Sequence, residues 1–520
     1  MIFNGLTKRD TSALKGFAIL CIVFHNFFHW MTPSPGENEF VFYSGCVHNF
    51  FRLLGEQPSE FINIIFSYLG HYGVQIFILL SGYGLAVSML RHEKDWTTFL
   101  VDRLKKLYPL LLTAIIVFIL FVIVSEHRIF QPNEWTEVWR KLLFIHTLIP
   151  NSGLSLNGPW WFFGLIFQLY LLFPLLFRFI RKHDWKAFAT VCIICYTSVF
   201  LFKNVFDLYH GEIIMMNAPG HLPEFCLGIL LAQHQNEKIH PAWLILAVAV
   251  FCLGNFYAVF YPFTFLAVSI IVLFAYQGAK KLPHKKGWTA NAMIYFGDIS
   301  MVLFAIHGFF RTPFLNMATP DKGFWNHALF FVLFFITVWG ASLAAKHLYD
   351  GLVRLFSLVK IRESKASHIV GGALQTVFGL SFAYIIGFYI TLNVNKFDKT
   401  DRIETVNGMT IDANQTYVDL AKVYFDTKQN SVSIEGAFDI TSANTTAELP
   451  LIVISINGLL WDRLVIPASY NTSESNRYQF SYRYNCPFYK TLKGKTLTLY
   501  FWNTKNAAIQ VNNVDLSAKY

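Results

Sequence analysis

Two histidines end the first strongly apolar stretch of the chain, LKGFAILCIVFHNFFHW, which runs from Leu14 to Trp30. His25 and His29 are four residues apart, so they share one face of a helix. Ionisable side chains inside a membrane are costly and often mark a functional path. A neutral imidazole there can act as a general base toward a hydroxyl. The alternative interpretation is that both histidines only hydrogen-bond neighbouring helices or the membrane interface.

Metal binding at these histidines would need further ligands, and no HExxH-type motif supplies them. Cys192 and Cys195 have CxxC spacing, but they lie in an apolar stretch with no second pair nearby. The sequence therefore predicts no metal site.

A second stretch, RLKKLYP from Arg103, combines cations with a tyrosine. Arg103, Lys106 and Tyr108 are suited to capture of a phosphorylated donor. Ordinary positive-inside anchoring of a membrane helix is the alternative explanation for the cations.

Polar and small residues also interrupt three other apolar stretches. GVQIFILLSGYGLA places Ser81 and Gly82 deep in a predicted helix, where small residues favour close helix packing. In GPWWFFGLIFQLYLLFP, an aromatic belt at the external interface explains the two tryptophans, and Gln168 is a buried polar group that needs a partner. In FGDISMVLFAIHGFF, Ser300 and His307 are two turns apart and so lie on roughly the same face.

These stretches, in this order, resemble the motifs of the acyltransferase-3 superfamily of integral membrane acyltransferases. The resemblance covers about residues 8–350. The matching stretches are LKGFAILCIVFH, GVQIFILLSGYGLA, RLKKLYP, WFFGLIFQLYLLFPLL, PEFCLGILLA and SMVLFAIH.

The resemblance implies a reaction and a set of site residues. Members of this family move an acyl group, usually acetyl from acetyl-CoA, to a hydroxyl or amine of a carbohydrate. The histidine that ends the first-helix motif is regarded as catalytic, and here it is His25. The residues that we expect to bind the acetyl-CoA donor are Lys15, Arg103, Lys106 and Tyr108. The residues that we expect to contact a glycan acceptor are His29, Trp161, Gln168, Tyr170, Ser300 and His307.

The composition predicts a polytopic α-helical membrane protein. Hydrophobic residues make up 54% of the 520 residues and charged residues only 14%, against about a quarter charged in an ordinary soluble domain. The net charge of +10 is spread over short segments between apolar blocks, which argues against nucleic acid as a partner. We expect the lipid bilayer, an acyl-CoA donor and a glycan acceptor as partners.

Eleven apolar segments are candidate membrane spans, ten in the acyltransferase-like region and one after it. Their approximate ranges are 13–31, 70–90, 107–125, 159–180, 187–203, 219–234, 242–259, 261–279, 292–314, 326–348 and 368–393. The basic clusters all fall on one side of this arrangement, which the positive-inside rule makes cytoplasmic. We therefore expect a multi-pass protein of the cytoplasmic (inner) membrane with a cytoplasmic N-terminus and an extracytoplasmic C-terminus.

The composition changes after Asn393, where short alternating runs such as KTLTLYFWN replace the apolar blocks. Asn457 and Gly458 lie between two apolar runs, which is a good hairpin signal. These patterns predict three regions: a membrane domain over 1–350, a linker with an extra transmembrane helix over 351–398, and an extracytoplasmic all-β sandwich over 399–520.

Two other functions fit the same apolar pattern. A non-enzymatic transporter of lipid-linked saccharide or acyl groups would use the buried histidines to line a path. A membrane anchor would serve only to present the β domain.

Overall fold

We describe the protein from a computed structural model. The structure describes residues 3–149, 152–205, 214–280, 287–318, 323–358, 400–403, 408–412, 414–426, 428–429, 431–442, 451–457, 460–464, 477–485, 491–503 and 508–520. The chain divides into two compact units, Met1–Phe378 and Gly379–Tyr520, which are treated separately below.

In the part that the structure describes, helices joined by irregular segments form the first unit. Its helices are α1 (Lys8–Phe28), α2 (Ser44–Glu56), α3 (Phe61–Leu69), α4 (Gly73–Arg91), α5 (Trp96–Ser125), α6 (Pro132–Leu142), α7 (Trp161–Val205), α8 (Ala218–Gln233), α9 (Ala242–Phe256), α10 (Thr264–Ala279), α11 (Trp288–Met317) and α12 (Gly323–Leu358). The first ten segments predicted as spans each coincide with one of these helices or with half of α7. The eleventh, 368–393, lies outside the described residues.

Seven helical stretches among the described residues are long and apolar enough to cross a membrane. They are Lys8–Phe28, Pro58–Arg91, Trp96–Ser125, Gly158–Phe200, Tyr261–Ala279, Trp288–Met317 and Gly323–Ser357. The difference from the predicted eleven arises partly because α8 and α9 are only 16 and 15 residues long, and partly because α7 combines two predicted segments.

Helix α7 is broken at Asp184, whose φ of 53° and ψ of −132° are not helical. Its start packs Trp161 against Phe40, with ring centroids 5.3 Å apart. Its later part packs Tyr196 against Phe263 at 4.2 Å, beside Tyr261, whose hydroxyl donates to the Glu39 carbonyl at 2.7 Å. Both ends of α7 therefore return to the same end of the bundle, and Asp184 lies at the turn between them.

The two ends of the bundle differ in their charged groups. One end carries basic side chains in ion pairs, such as Lys280–Asp10 at 2.9 Å and Arg181–Glu93 at 3.2 Å. We call this the basic end. The other end carries residue 25 at the end of α1 together with the segments around residues 37, 157 and 261, and we call it the histidine end.

Helices α1 and α11 run in the same direction and are joined along their length by side-chain hydrogen bonds. Near the basic end, the Ser12 hydroxyl donates to Asp298 at 2.9 Å. Near the histidine end, the Arg311 guanidinium donates to Asn26 at 3.0 Å. These bonds fix the side of α1 that faces the rest of the bundle.

The described residues of the second unit form nine strands in two sheets. The strands are β1 (Thr400–Ile403), β2 (Met409–Ile411), β3 (Tyr417–Tyr424), β4 (Ser431–Ser442), β5 (Leu451–Ile456), β6 (Leu460–Leu464), β7 (Arg477–Asn485), β8 (Thr496–Trp502) and β9 (Ile509–Lys519). One sheet has the order β1-β9-β4-β7 with β2 also on β9, and the other has the order β3-β8-β5-β6.

The buried side chains of both sheets form one apolar core, which includes Val432 and Leu516 from the first sheet and Ile454 and Phe501 from the second. Strands β5 and β6 pair antiparallel with Ile456 opposite Leu460. The predicted hairpin between them is therefore confirmed.

The close packing predicted for Gly82 is also confirmed, and it can be tested against a second glycine of the same helix. A Cβ at Gly82 would lie 2.1 Å from the Phe225 carbonyl oxygen of α8, whereas a Cβ at Gly84 would meet nothing within 4 Å. We expect Gly82→Ala to lower the midpoint of thermal unfolding, because overpacking costs about 1–3 kcal/mol.

Gly84→Ala is the matched control. It should leave the midpoint unchanged or raise it slightly, because alanine favours a helix interior by up to about 1 kcal/mol over glycine. Equal midpoints for the two variants, measured on protein purified in detergent, would contradict the close contact between α4 and α8.

Candidate active site

The side chain of His25 lies in the last turn of α1 and is 3% exposed. Its Nδ1 lies 3.1 Å from the Phe66 carbonyl oxygen of α3, so Nδ1 carries a proton and donates it to that oxygen. Gly70 makes this approach possible, because a Cβ there would lie only 2.7 Å from the His25 Cβ. The backbone contact fixes the orientation of the ring and leaves Nε2 as the nitrogen available for chemistry.

Glu37, in the segment between α1 and α2, faces that nitrogen. Its Oε2 lies 2.6 Å from Nε2 of His25 and 3.3 Å from Nδ1 of His29. The two imidazole rings stack with centroids 5.3 Å apart. The structure thus brings together the two histidines of the first apolar stretch, as their spacing predicts, and adds a carboxylate.

The turn before α4 adds a third imidazole. His71 is 2% exposed, and its ring centroid lies 5.5 Å from that of His25. A ligand atom of each of His25, Glu37 and His71 lies within 4.8 Å of the other two. The cluster is therefore built from three separate segments of the chain, and sequence spacing relates only two of its members.

Two carboxyl groups of the segment after α1 have opposite protonation behaviour. Burial alone would raise the pKa of Glu37, but the neighbouring His25 and His29 lower it to about 2. Burial and the charge of Glu37 raise the pKa of Glu39 to about 8. At neutral pH the structure therefore holds Glu37 as a carboxylate and Glu39 as a neutral acid. Such a divergence of neighbouring carboxyl groups is typical of active sites.

A cavity of about 400 Å³ opens between α5, α6 and α11. Its lining combines Phe121 and Phe309 with Arg128, Asn157 and Arg311. Arg311 also donates to Asn26, the residue that follows His25, so it connects the cavity with the last turn of α1. A pocket with an aromatic wall and convergent polar groups is suited to a small polar ligand.

The residues predicted to bind the donor do not form one cluster. Lys15 lies on α1 close to Asp298, ten residues and so about 15 Å along the helix from His25. Arg103 packs over the Phe99 ring at 5.4 Å, and its Nε is buried without a hydrogen-bond partner among the described residues. Lys106 is exposed one turn further along α5.

Tyr108 does not lie with the other residues predicted to bind the donor, because its contacts are with a different segment of the chain. Its hydroxyl donates to the Leu142 carbonyl oxygen at 3.0 Å, and its ring packs against Phe144. Leu142 lies in the segment between the predicted spans 107–125 and 159–180. This segment folds into the bundle and reaches Tyr108, so the tyrosine hydroxyl has a structural partner in it.

Gln168 finds the partners that its buried position demands. It donates to Asn217 at 2.5 Å and to Thr147 at 3.2 Å, and it accepts from the Ala218 amide at 2.9 Å. These bonds join α7 to α8 and to the segment between α6 and α7 that contains Thr147. Tyr170 packs edge-on against Phe99 at 6.5 Å, which places it near Arg103 and away from the histidines.

The two tryptophans before and at the start of α7 are buried in the bundle. Trp160 is 0% exposed and donates to the Ala305 carbonyl oxygen at 2.7 Å. Trp161 is 4% exposed and stacks on His221. Their interpretation as an aromatic belt at the membrane surface is wrong, because Trp160 packs against Phe118 and Phe309 and Trp161 packs against Phe40 and His221.

Ser300 and His307 are both buried, but only His307 lies near the site. The Ser300 hydroxyl donates to the Gly297 carbonyl oxygen at 2.7 Å. Nδ1 of His307 is paired with the Phe304 carbonyl oxygen at 2.8 Å, and the ring lies within electrostatic range of Arg311 and His25. His307 thus belongs to the periphery of the histidine cluster.

Glu37, Glu39, His71 and Arg311 are site residues that the sequence did not indicate. Glu37 and Glu39 lie in a segment without helical periodicity, and His71 precedes a motif without belonging to it. A search for ionisable residues near the ends of apolar segments would have found Arg311, because membrane helices rarely tolerate a guanidinium without a function.

The fold and the site define a class of protein: a bundle of apolar helices that holds an oriented imidazole beside a carboxylate. Residues 11–346 match the family described as an acyltransferase domain, acyltransferase-3. The chain belongs to this family, and it is an acyltransferase.

A curated relative and a solved structure show similarity to the chain. The acyltransferase MdmB of Streptomyces mycarofaciens is 27% identical over 265 residues, which cover 46% of this chain and 67% of the relative. The GH115 4-O-methyl-alpha-glucuronidase BtGH115A matches 59% of this chain and 44% of its own at 12% identity, with a TM-score of 0.16. That TM-score does not indicate a common fold.

The raised pKa of Glu39 predicts how stability depends on pH. Between about pH 4.5 and 8 the unfolded chain loses the Glu39 proton while the folded protein keeps it, so stability falls as pH rises through this range. We expect Glu39→Gln, which is neutral in both states, to become more stable relative to wild type by a few degrees between pH 5 and 8. Thermal unfolding in detergent measures this difference.

Glu56→Gln provides the control, because Glu56 is exposed on α2. Its stability relative to wild type should not change in the same direction between pH 5 and 8. A parallel pH dependence for wild type and Glu39→Gln would show that Glu39 is already ionised in the folded protein.

Proposed function

We propose that this acyltransferase transfers an acetyl group from acetyl-CoA to a hydroxyl of a cell-surface or exported glycan. The single observation that carries the proposal is the buried imidazole of His25, fixed through Nδ1 by the Phe66 carbonyl oxygen and facing a carboxylate through Nε2. When an acceptor hydroxyl replaces the carboxylate at Nε2 and that nitrogen is unprotonated, the same geometry suits a base that must remove a proton from a weak nucleophile.

The position of Oε2 of Glu37 indicates where the reacting oxygen can bind. At 2.6 Å from Nε2 it occupies a place within proton-transfer distance. In our proposal an acceptor hydroxyl takes this place. Glu37 then moves off Nε2 but remains close enough to stabilise a positive charge on His25.

In the transfer step, the acetyl group passes directly from the CoA sulfur to the acceptor oxygen. Nε2 removes the hydroxyl proton while the acceptor oxygen forms a bond to the thioester carbonyl carbon. The carbon–sulfur bond breaks, and the CoA sulfur leaves as a thiolate that takes up the proton from the His25 imidazolium. The products are an acetyl ester and CoA with a free thiol. A covalent acyl intermediate on the protein is the alternative route.

The acceptor site that fits this reaction is the cavity beside Arg311. Sugar hydroxyls can hydrogen-bond to Arg128 and Asn157, and the apolar face of a sugar ring can pack on Phe121 or Phe309. The hydrogen bond between Arg311 and Asn26 brings this cavity next to the helix turn that holds His25.

The donor fits the basic end of the bundle. Arg103 offers a buried guanidinium nitrogen without a partner among the described residues, and Lys106 is exposed nearby. Both suit the phosphates of CoA. We propose that the basic end faces the cytoplasm of a cell membrane and that the thioester of bound acetyl-CoA reaches along the bundle to the histidine end. In that orientation the acceptor approaches from outside, and the β unit is extracytoplasmic and binds or positions the glycan.

Substitution of His25 tests the base. We expect His25→Ala to reduce acyl transfer by at least about 100-fold, since general-base catalysis typically contributes 10²–10⁴-fold. The measurement is transfer of label from radiolabelled acetyl-CoA in membranes that express each variant, with glycan and protein fractions counted separately. Protein level and detergent-extracted size profile show whether the variant folds.

The matched control is His48→Ala, because His48 is an exposed histidine of α2 outside the cluster. It should retain wild-type transfer. Normal labelling by His25→Ala would overturn the role of His25. A folded wild-type protein that moves glycan across the membrane without consuming acetyl-CoA would favour the transporter instead.

Substitution of Arg103 tests the donor site. We expect Arg103→Gln to raise KM for acetyl-CoA by about tenfold or more, because a hydrogen bond to a charged group contributes about 1.5–3 kcal/mol, with a smaller effect on kcat. Arg52→Gln, an exposed change on α2, should alter neither constant. An unchanged KM in Arg103→Gln would exclude this arginine from donor binding.

A further inference from the structure

We propose that the cluster of His25, Glu37 and His71 binds a divalent cation of the zinc class. The inference goes beyond the proposed function, because cation binding is independent of acyl transfer. It also departs from the sequence, which contains no metal-binding motif.

The first observation is the composition and spacing of the cluster. It offers two imidazole nitrogens and one carboxylate oxygen, all within 4.8 Å of one another. Zinc accepts this combination of ligands, whereas calcium and magnesium prefer oxygen ligands alone. Two ligands bound to one tetrahedral zinc lie about 3.4 Å apart, so small side-chain rotations from the present distances suffice.

The second observation is the unsatisfied ring of His71. The residue is 2% exposed, and neither ring nitrogen makes a well-formed hydrogen bond with a residue that the structure describes. The Tyr68 backbone can accept a hydrogen bond from one ring nitrogen, which leaves the other nitrogen without a partner among the described residues. A buried polar group without a partner is unfavourable, and a cation would satisfy the nitrogen that faces the cluster.

The third observation is the support around His25. Histidines that bind metal ions usually donate their other ring N–H to a carbonyl or carboxylate oxygen. Nδ1 of His25 already does so to the Phe66 carbonyl oxygen at 3.1 Å. His29 can complete a fourfold site, since its Nδ1 lies 3.3 Å from the same carboxylate oxygen.

A second histidine–glutamate pair shows what a purely structural pair looks like in this protein. Nδ1 of His221 lies 2.8 Å from Glu224, and its Nε2 lies 2.7 Å from the Met215 carbonyl oxygen. Both nitrogens of that ring are satisfied. His221 is therefore the matched control for His71.

The binding test uses the full-length protein in detergent, with any affinity tag removed and metal stripped by a chelator. Equilibrium dialysis against ZnCl₂ is followed by measurement of bound zinc by mass spectrometry. We expect one zinc per chain that depends on the cluster, with affinity at least tenfold weaker in His71→Gln. His71→Cys should bind zinc, because a thiolate replaces the imidazole ligand. His221→Gln should match wild type.

Two results would overturn the proposal. One is wild-type protein that binds no more zinc than His71→Gln, with both proteins showing the same size profile. The other is bound zinc whose X-ray absorption spectrum shows no imidazole ligands at about 2.0–2.1 Å. The spectrum of wild-type protein decides the question even if His71→Gln fails to fold.

Zinc at this site has a consequence that rests on the proposed function. It would occupy Nε2 of His25, so the same nitrogen could not act as a base, and added zinc should inhibit acyl transfer. The two proposals fail separately. Zinc binding by a protein whose metal-free form shows no acyl transfer would contradict only the function, and acyl transfer without cluster-dependent zinc binding would contradict only the metal site.

Discussion

The pairing of a buried imidazole with a carboxylate is the constraint on which the rest of the site depends. Taking both groups out of water costs several kcal/mol per ion unless close partners compensate. His25 and Glu37 satisfy this condition only because α1, the segment after it and the end of α3 meet at one point. Gly70 allows that meeting, since any side chain there would collide with His25. The bundle thus serves to hold two otherwise unstable groups together.

Buried polar groups need close partners, and this need also explains why the segment between α5 and α7 folds into the bundle. It carries Thr147, which binds Gln168, and the Leu142 carbonyl oxygen, which accepts from Tyr108. Each of these bonds satisfies a polar group that an apolar helix would otherwise bury alone. A hydropathy profile assigns such a segment to solvent because its composition is polar. The profile contains no information on the polar groups of neighbouring helices that this segment pairs with.

The sequence predicted the features that local helix geometry and residue size determine. It missed the site residues that only the packing of distant segments brings together. His25 and His29 were predicted because helix geometry alone relates them, and the close contact at Gly82 because small residues indicate it. Glu37 and His71 were missed because they enter the site from a segment without periodicity and from a short turn. Trp161 was misassigned because a tryptophan at a helix start looks the same in sequence whether lipid or protein covers it.

The break in α7 at Asp184 affects how the topology of related chains should be counted. Its two halves have about 23 and 21 residues, so at 1.5 Å per residue each is long enough for a hydrocarbon core of about 30 Å. A count based on helix continuity treats the two halves as one segment, although both of their outer ends lie at the same end of the bundle. In a membrane protein, the side on which each loop lies depends on whether the number of preceding crossings is odd or even. One miscount of this kind would therefore assign every later loop, and the β unit, to the opposite compartment.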